Sequence, residues 1–160
     1  MDINNINIPL EYNIRFTNQN KNNPSIFLLH GYGSNMNDLF SLHQFFPKDW
    51  TIVSLQAPFG TGFGGWAWAE LDFNNLRELP KPEQSISSRN KIVSSISTMT
   101  NELNLDQSKV HLIGFSQGAS FTLFCGVTYP KMFHGLGALC GYFDYKKIKN
   151  DINPNSIKNL

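Results

Sequence analysis

Val110-His111-Leu112-Ile113-Gly114-Phe115-Ser116-Gln117-Gly118-Ala119 is the stretch that decides the fold. Its first four residues are mostly apolar with no polar-out alternation, the pattern of a strand buried on both faces of a parallel sheet. From Ala119 to Tyr129 the chain is helix-compatible, and Pro130 stops it. Gly114 and Gly118 bracket the bend between strand and helix, where side chains would collide as the chain doubles back. The bend presents Ser116 at the C-terminal edge of the strand and at a helix N-terminus, where free N–H groups and the positive dipole end favour developing negative charge. A serine hydroxyl is a weak nucleophile unless it is exposed to a base in this way, so Ser116 is the candidate catalytic residue. The plainer alternative is a glycine-bounded turn with a capping serine.

Working outward, Ile26–Leu29 is a second buried run, preceded by the polar turn 18–24 and followed at once by His30-Gly31-Tyr32-Gly33. A glycine-bearing loop after an early strand is where a second oxyanion-binding N–H comes from, the first being that of the residue after the nucleophile. Tyr32 and Gln117 are therefore the expected backbone donors, with Gly31, Gly33, Gly114 and Gly118 as the loop and elbow glycines. His30 shares the donor loop and reads as a hydrogen-bonded positioning residue. Thr51–Leu55 is a third buried strand, whereas Ile8–Phe16 alternates and predicts a strand near a sheet edge with one wet face. A helix is expected from an Asn37 or Asp38 cap to Phe46, ending before Pro47. A long amphipathic helix spans Glu83–Leu103, with Ile92, Val93, Ile96, Met99 and Leu103 on one face. A last apolar strand, Leu136–Phe143, precedes a lysine- and asparagine-rich tail. Strands alternating with helices predict one α/β domain over residues 1–160, with a mostly parallel sheet covered on both faces.

The 57–82 loop is too long for a simple connection and reads as functional. Gly60 to Gly65 matches a dinucleotide-binding pattern, but no helix follows at once and no ribose-binding acid lies about 20 residues on. Trp66, Trp68 and Phe73 instead suit the wall of a substrate pocket or a lid. Of the 160 residues 41% are hydrophobic and 16% charged, with a net charge of +1, so no field points to nucleic acid. No stretch reaches the roughly 18 apolar residues of a membrane span, and the N-terminus lacks a leader pattern. A soluble cytoplasmic protein is expected, with Cys125 and Cys140 as buried free thiols.

Four blocks, LLHGYGSNMNDLFSL, QAPFG with GGWAWAELDF, VHLIGFSQGASFTL and FHGLGALCGYF, resemble in order and spacing the bacterial phospholipase/carboxylesterase family, relatives of the acyl-protein thioesterases. The resemblance runs from about Pro24 to Tyr142. It implies a three-layer α/β-hydrolase fold with an eight-stranded, mostly parallel central sheet, no metal and no cofactor. It also implies a small-molecule ester or acyl thioester substrate, Ser116 as nucleophile, Tyr32 and Gln117 as oxyanion donors, and Trp68 near an acyl pocket. Ala69-Glu70 stand where the family often has an aromatic-acidic pair.

In the family the triad's acid and histidine follow the nucleophile. Here His134 is the one histidine after Ser116, and it precedes its strand, at the opposite sheet edge; His111 is excluded likewise, and His30 and His43 come too early in the chain. Asp144 follows the last strand and reads as a turn aspartate or an acid borrowed from other hydrolases. A C-terminally truncated domain is thus expected, missing its last strands and helices, with the acid and histidine beyond residue 160. Alone it would be nearly inactive, and the unpaired Leu136–Phe143 edge would favour self-association. A non-catalytic remnant or binding module that keeps the pocket is the alternative.

Overall fold

The structure is a computed structural model that describes residues 3–17, 23–74 and 81–142. Its elements follow in the order β1 (Tyr12–Arg15), β2 (Ser25–Leu29), α1 (Met36–Phe40), β3 (Thr51–Leu55), β4 (Phe59–Gly60), β5 (Trp66–Ala67), α2 (Pro82–Glu102), β6 (Val110–Phe115), α3 (Gln117–Thr128) and β7 (Gly135–Leu139). Five strands make one sheet in the spatial order β1-β3-β2-β6-β7, while β4 and β5 pair separately. β1 runs antiparallel to β3, and the other neighbours are parallel. This is an α/β-hydrolase sheet with helices on both faces.

Every residue of β2 and β3 is buried, which is why neither strand alternates in sequence. Phe27, Leu29, Val53, Leu55 and Leu112 join Ile92, Ile96 and Met99 of α2 and Phe121, Phe124 and Cys125 of α3 in the main core. Their neighbours Ile26, Leu28 and Ile52 form a second cluster with Leu39, Phe46 and Trp50. The period-two pleat thus feeds two cores from one set of strands. Each fully buried Leu, Ile or Phe contributes roughly 1.5–3 kcal/mol.

Several boundaries differ from the sequence expectations. The helix expected through Phe46 ends at Phe40 and continues as a 3-10 helix over Ser41–Phe45. Its cap is Asn35, whose side chain accepts the Asn37 N–H at 2.9 Å, and not Asn37 or Asp38. Polar side chains compete for the backbone here: Ser41 Oγ donates to the Asp38 carbonyl at 2.6 Å. The Arg15 guanidinium then gathers the carbonyls of His43, Phe46, Pro47 and Trp50. Those carbonyls are satisfied from β1, so the segment needs no further α-helical turn.

β1 is the expected edge strand but covers only Tyr12–Arg15 of the expected Ile8–Phe16. At the other edge β7 stops at Leu139, and Phe143 and Asp144 lie outside the described residues. Among the described residues no strand pairs with the outer side of β7, where Leu136 and Leu139 are 37% and 52% exposed. Cys125 is buried as expected, and burial pushes its thiol up to about 12. Cys140 is exposed instead, because it lies past the end of β7 with φ 57°. No helix of the described residues is long and apolar enough to cross a membrane.

One backbone contact seats α3 on the sheet. A Cβ added at Gly118 would stand 2.1 Å from the Leu29 carbonyl oxygen and 2.7 Å from that of His30. Backbone atoms cannot swing away as a side-chain end can, so Gly118→Ala is expected to destabilise the fold by about 3 kcal/mol or more. A urea midpoint equal to that of the parent chain would contradict this packing.

Candidate active site

The turn between β6 and α3 holds Ser116 at φ 52° and ψ −116°, a left-handed conformation that a non-glycine residue adopts at a cost of order 1–3 kcal/mol. Its surroundings enforce it. The Ser116 N–H donates to the Leu139 carbonyl at 2.8 Å, and the Ser116 carbonyl accepts from Ala119 and Ser120 at 3.0 and 3.2 Å. A Cβ at Gly114 would lie 2.2 Å from the Gly118 oxygen, so the doubled-back chain is closed tightly from behind. Ser116 itself is half-buried, open to solvent at the sheet's C-terminal edge.

The loop after β2 runs directly beside it. A Cβ at Gly31 would meet Ser116 Cβ at 3.5 Å and the Phe115 ring at 3.3 Å. The loop then turns back through Gly33 at φ 75°, whose N–H donates to the Trp66 carbonyl at 2.8 Å, and the Trp66 N–H returns a bond to Ser34 of the same length. The β4–β5 hairpin is thus laced to this loop. Gly60 to Gly65 form the hairpin's turn, closed by the Thr61 N–H on Gly65 O at 2.9 Å, and no helix begins there. The Tyr32 ring packs edge-on against Phe73 at 5.5 Å.

Two amides next to Ser116 are left free. As the first residue of α3, Gln117 has no helical acceptor for its N–H. Among the described residues the Tyr32 N–H likewise donates to no protein acceptor.

His30 is wholly buried. Its Nε2 accepts the Ala57 N–H at 3.1 Å, so its Nδ1 carries the proton and donates to the Gly31 carbonyl at 2.8 Å. The Gln56 amide nitrogen also faces Nε2 at 3.1 Å. This is a positioning histidine with both ring nitrogens occupied. His111 and His134 lie together at the opposite end of the strands, rings 5.2 Å apart, with Trp50 stacked on His111. His43 sits on the 3-10 helix, stacked on Phe40. None of the four histidines hydrogen-bonds Ser116; their ring nitrogens and faces are engaged by other groups.

The two tryptophans of the long loop differ. Trp66 is 37% exposed at the rim, with Phe73 at 66% beside the same loop. Trp68 is 0% exposed and lies inside the main core, not on an open pocket wall. Its neighbours Ala67 and Ala69 are buried too, so this part of the long loop belongs to the core. Gln117 adds what sequence reasoning did not provide: its side-chain oxygen accepts the Trp68 N–H at 2.8 Å and its amide donates to the Ala69 carbonyl at 2.6 Å. The one clue in the sequence was a polar residue opening an otherwise apolar helix.

Burial holds the His30 pKa below its ordinary value of 6.5, with the Gly31 carbonyl and Asp38 pulling weakly the other way. A histidine whose folded pKa is lowered stabilises the fold fully above its unfolded pKa. That contribution is lost as pH falls from about 6.5 toward the folded value, because only the unfolded chain takes up the proton there. Urea midpoints are therefore expected to drop between pH 7 and pH 5, and His30→Gln is expected to flatten the slope; an unchanged slope in a folded variant would contradict the buried neutral state.

A family model for Phospholipase/Carboxylesterase matches residues 14–158. A search of curated proteins gives no match. Among solved structures, esterase PE8 superposes with a TM-score of 0.78 at 27% identity, covering 91% of this chain and 70% of that one. The carboxylesterase of Bacillus cereus shares the fold at a TM-score of 0.69 and 18% identity, over 81% of this chain and 59% of its own. So does a carboxylesterase from Mesorhizobium loti, at 0.66 and 15%, over 82% and 64%. The chain spans less than two thirds of the length of these two carboxylesterases. With a family match over nearly its whole length, a mostly parallel sheet and a strand-turn-helix bend carrying a serine, the chain belongs to the phospholipase/carboxylesterase family of α/β-hydrolases.

Proposed function

We propose that residues 1–160 are the nucleophile-bearing part of a serine carboxylesterase or thioesterase that acts on a small-molecule ester or acyl thioester. The observation that carries the reading is the left-handed Ser116 backbone at the mouth of α3, with the Gly31 loop in contact with it. Ser116 Oγ attacks the acyl carbonyl, its proton passes to a base, and the carbonyl oxygen becomes an oxyanion held by the Tyr32 and Gln117 N–H groups. Collapse expels the alcohol or thiol and leaves an acyl-enzyme, which water hydrolyses through the reverse proton path. Trp66 and Phe73 line the rim where the acyl chain enters, and Trp68, buried beside His30 and Phe121, anchors the loop. No metal or cofactor takes part in this scheme.

The base is a histidine, oriented by an acid, from outside residues 1–160, since His30, His43, His111 and His134 are committed elsewhere. The same observation favours a second reading, a binding module that keeps the hydrolase pocket without turnover. The exposed Cys140 thiol suits the reducing cytoplasm.

A fluorophosphonate is expected to label Ser116 in a chain carrying the acid and histidine, and Ser116→Ala is expected to abolish the adduct. Residues 1–160 alone are expected to hydrolyse p-nitrophenyl esters about 10⁶-fold more slowly than a complete triad does. An adduct that survives Ser116→Ala overturns the nucleophile; no adduct with the triad complete favours the binding module.

A further inference from the structure

We infer that Trp68 is a positioning residue that sets the spacing of the two oxyanion-binding amides, an inference that rests on the hydrolase reading above. Trp68 is tied to three different elements at three different atoms. Its backbone N–H donates to Gln117 Oε1 on α3 at 2.8 Å. Its carbonyl accepts from Ser88 Oγ on α2 at 2.5 Å. Its indole Nε1–H donates to the His30 carbonyl, at the end of β2, at 2.8 Å.

The indole is also packed between the His30 ring at 5.4 Å and the Phe121 ring at 6.0 Å, and is fully buried. A residue that walls a substrate cavity leaves a face or a polar atom for the ligand. Trp68 leaves none, since every hydrogen-bonding group it has is used internally.

The geometry of those three bonds forms a strut. One arm of the oxyanion site is Gln117, whose side chain pairs with the Trp68 N–H and the Ala69 carbonyl much as a neighbouring strand would. The other arm is the 30–33 loop, whose first carbonyl is held from behind by the indole. The His30 carbonyl belongs to the peptide plane that leads into Gly31, and Tyr32 follows at once. A rotation of that plane moves the Tyr32 N–H relative to Gln117. Oxyanion donors act only when they lie about 2.7–3.1 Å from the charged oxygen, so small rotations cancel one arm and not the other. The His30 ring, fixed by Ala57 and Gly31, limits the loop from its second side.

The test uses the chain itself and phenylboronic acid, which needs no turnover. Ser116 Oγ adds to the trigonal boron, its proton goes to solvent, and a boron-bound oxygen of the tetrahedral anion occupies the oxyanion position. Binding is read from the amide ¹⁵N–¹H signals of Tyr32 and Gln117. In the parent chain both signals are expected to shift. Trp68→Phe keeps an aromatic ring, loses the indole donor along with some volume, and is expected to weaken boronate affinity about ten-fold, as loss of one buried hydrogen bond does. The Tyr32 response is expected to vanish while that of Gln117 persists, a split that general destabilisation would not produce. Ile96→Val, in the same core cluster, serves as the control and should change neither signal. Ser88→Ala, which frees the Trp68 carbonyl without touching the indole, is expected to act in the same direction with smaller effect and stands in if Trp68→Phe does not fold. If the parent chain shifts both amides and these folded variants do so equally, the strut is wrong while the oxyanion site stands. If the parent chain shifts neither, the two amides share no oxyanion site and the strut falls, while the hydrolase reading is decided separately by Ser116 labelling with the triad complete.

Discussion

The contact on which the rest of the structure depends is the approach of the Gly118 backbone to the carbonyls of Leu29 and His30. It brings the N-terminus of α3 down onto the end of β2, and the preceding turn has no room to take any path but a sharp one. Gly114, facing Gly118 from across that turn, completes the closure. Ser116 is left with a backbone conformation that few side chains accept, and the free first-turn amides of α3 open beside the loop that leaves β2. Removal of either missing Cβ's space would separate the serine from its partner loop, so packing and chemistry share one constraint.

The same sheet end explains why the strands alternate their allegiance. β2 sits at the centre and must satisfy helices on both sides, so its five residues are all buried and the two cores meet across it. β6 packs under α3 on one face, and on the other Ile113 and His111 are only partly covered, so its residues alternate between buried and more exposed. The histidine pair and Trp50 lie toward the start of β6, away from the serine. Polar side chains at the C-terminal end are turned to holding loops: His30, Gln56 and Gln117 bond backbone groups there.

Much of this was legible in the sequence, and the reason is local. Buried strands announce themselves by uninterrupted apolar runs, and Ile26–Leu29 and Thr51–Leu55 needed almost no adjustment. The Gly114–Gly118 pattern exposed the bend, because only glycine fits such closeness. What stayed hidden depends on partners far along the chain. Asn35 outcompeted Asn37 and Asp38 as a cap through a side-chain bond that composition does not rank. Trp68 reads as a pocket aromatic from its loop, yet its place is settled by Gln117, 49 positions away, and by His30, 38 away. Cys140 sits in an apolar run but past the end of its strand, and so is exposed.

The order of strands also has a kinetic side. β2 pairs with β3 soon after both are made, but its other edge waits for β6, so Ser25 meets Val110 only after the 57–82 loop and all of α2 have been synthesised. Closing so wide a span before its contacts form is slow, since the entropy is lost first and recovered late. During translation the middle strand therefore spends a long interval with one unpaired, strongly apolar flank. Nascent chains of this protein should lean on chaperones in that interval more than a hairpin-rich protein of equal size, and the ladder that waits longest for its second strand is the one leading into the bend that bears the serine.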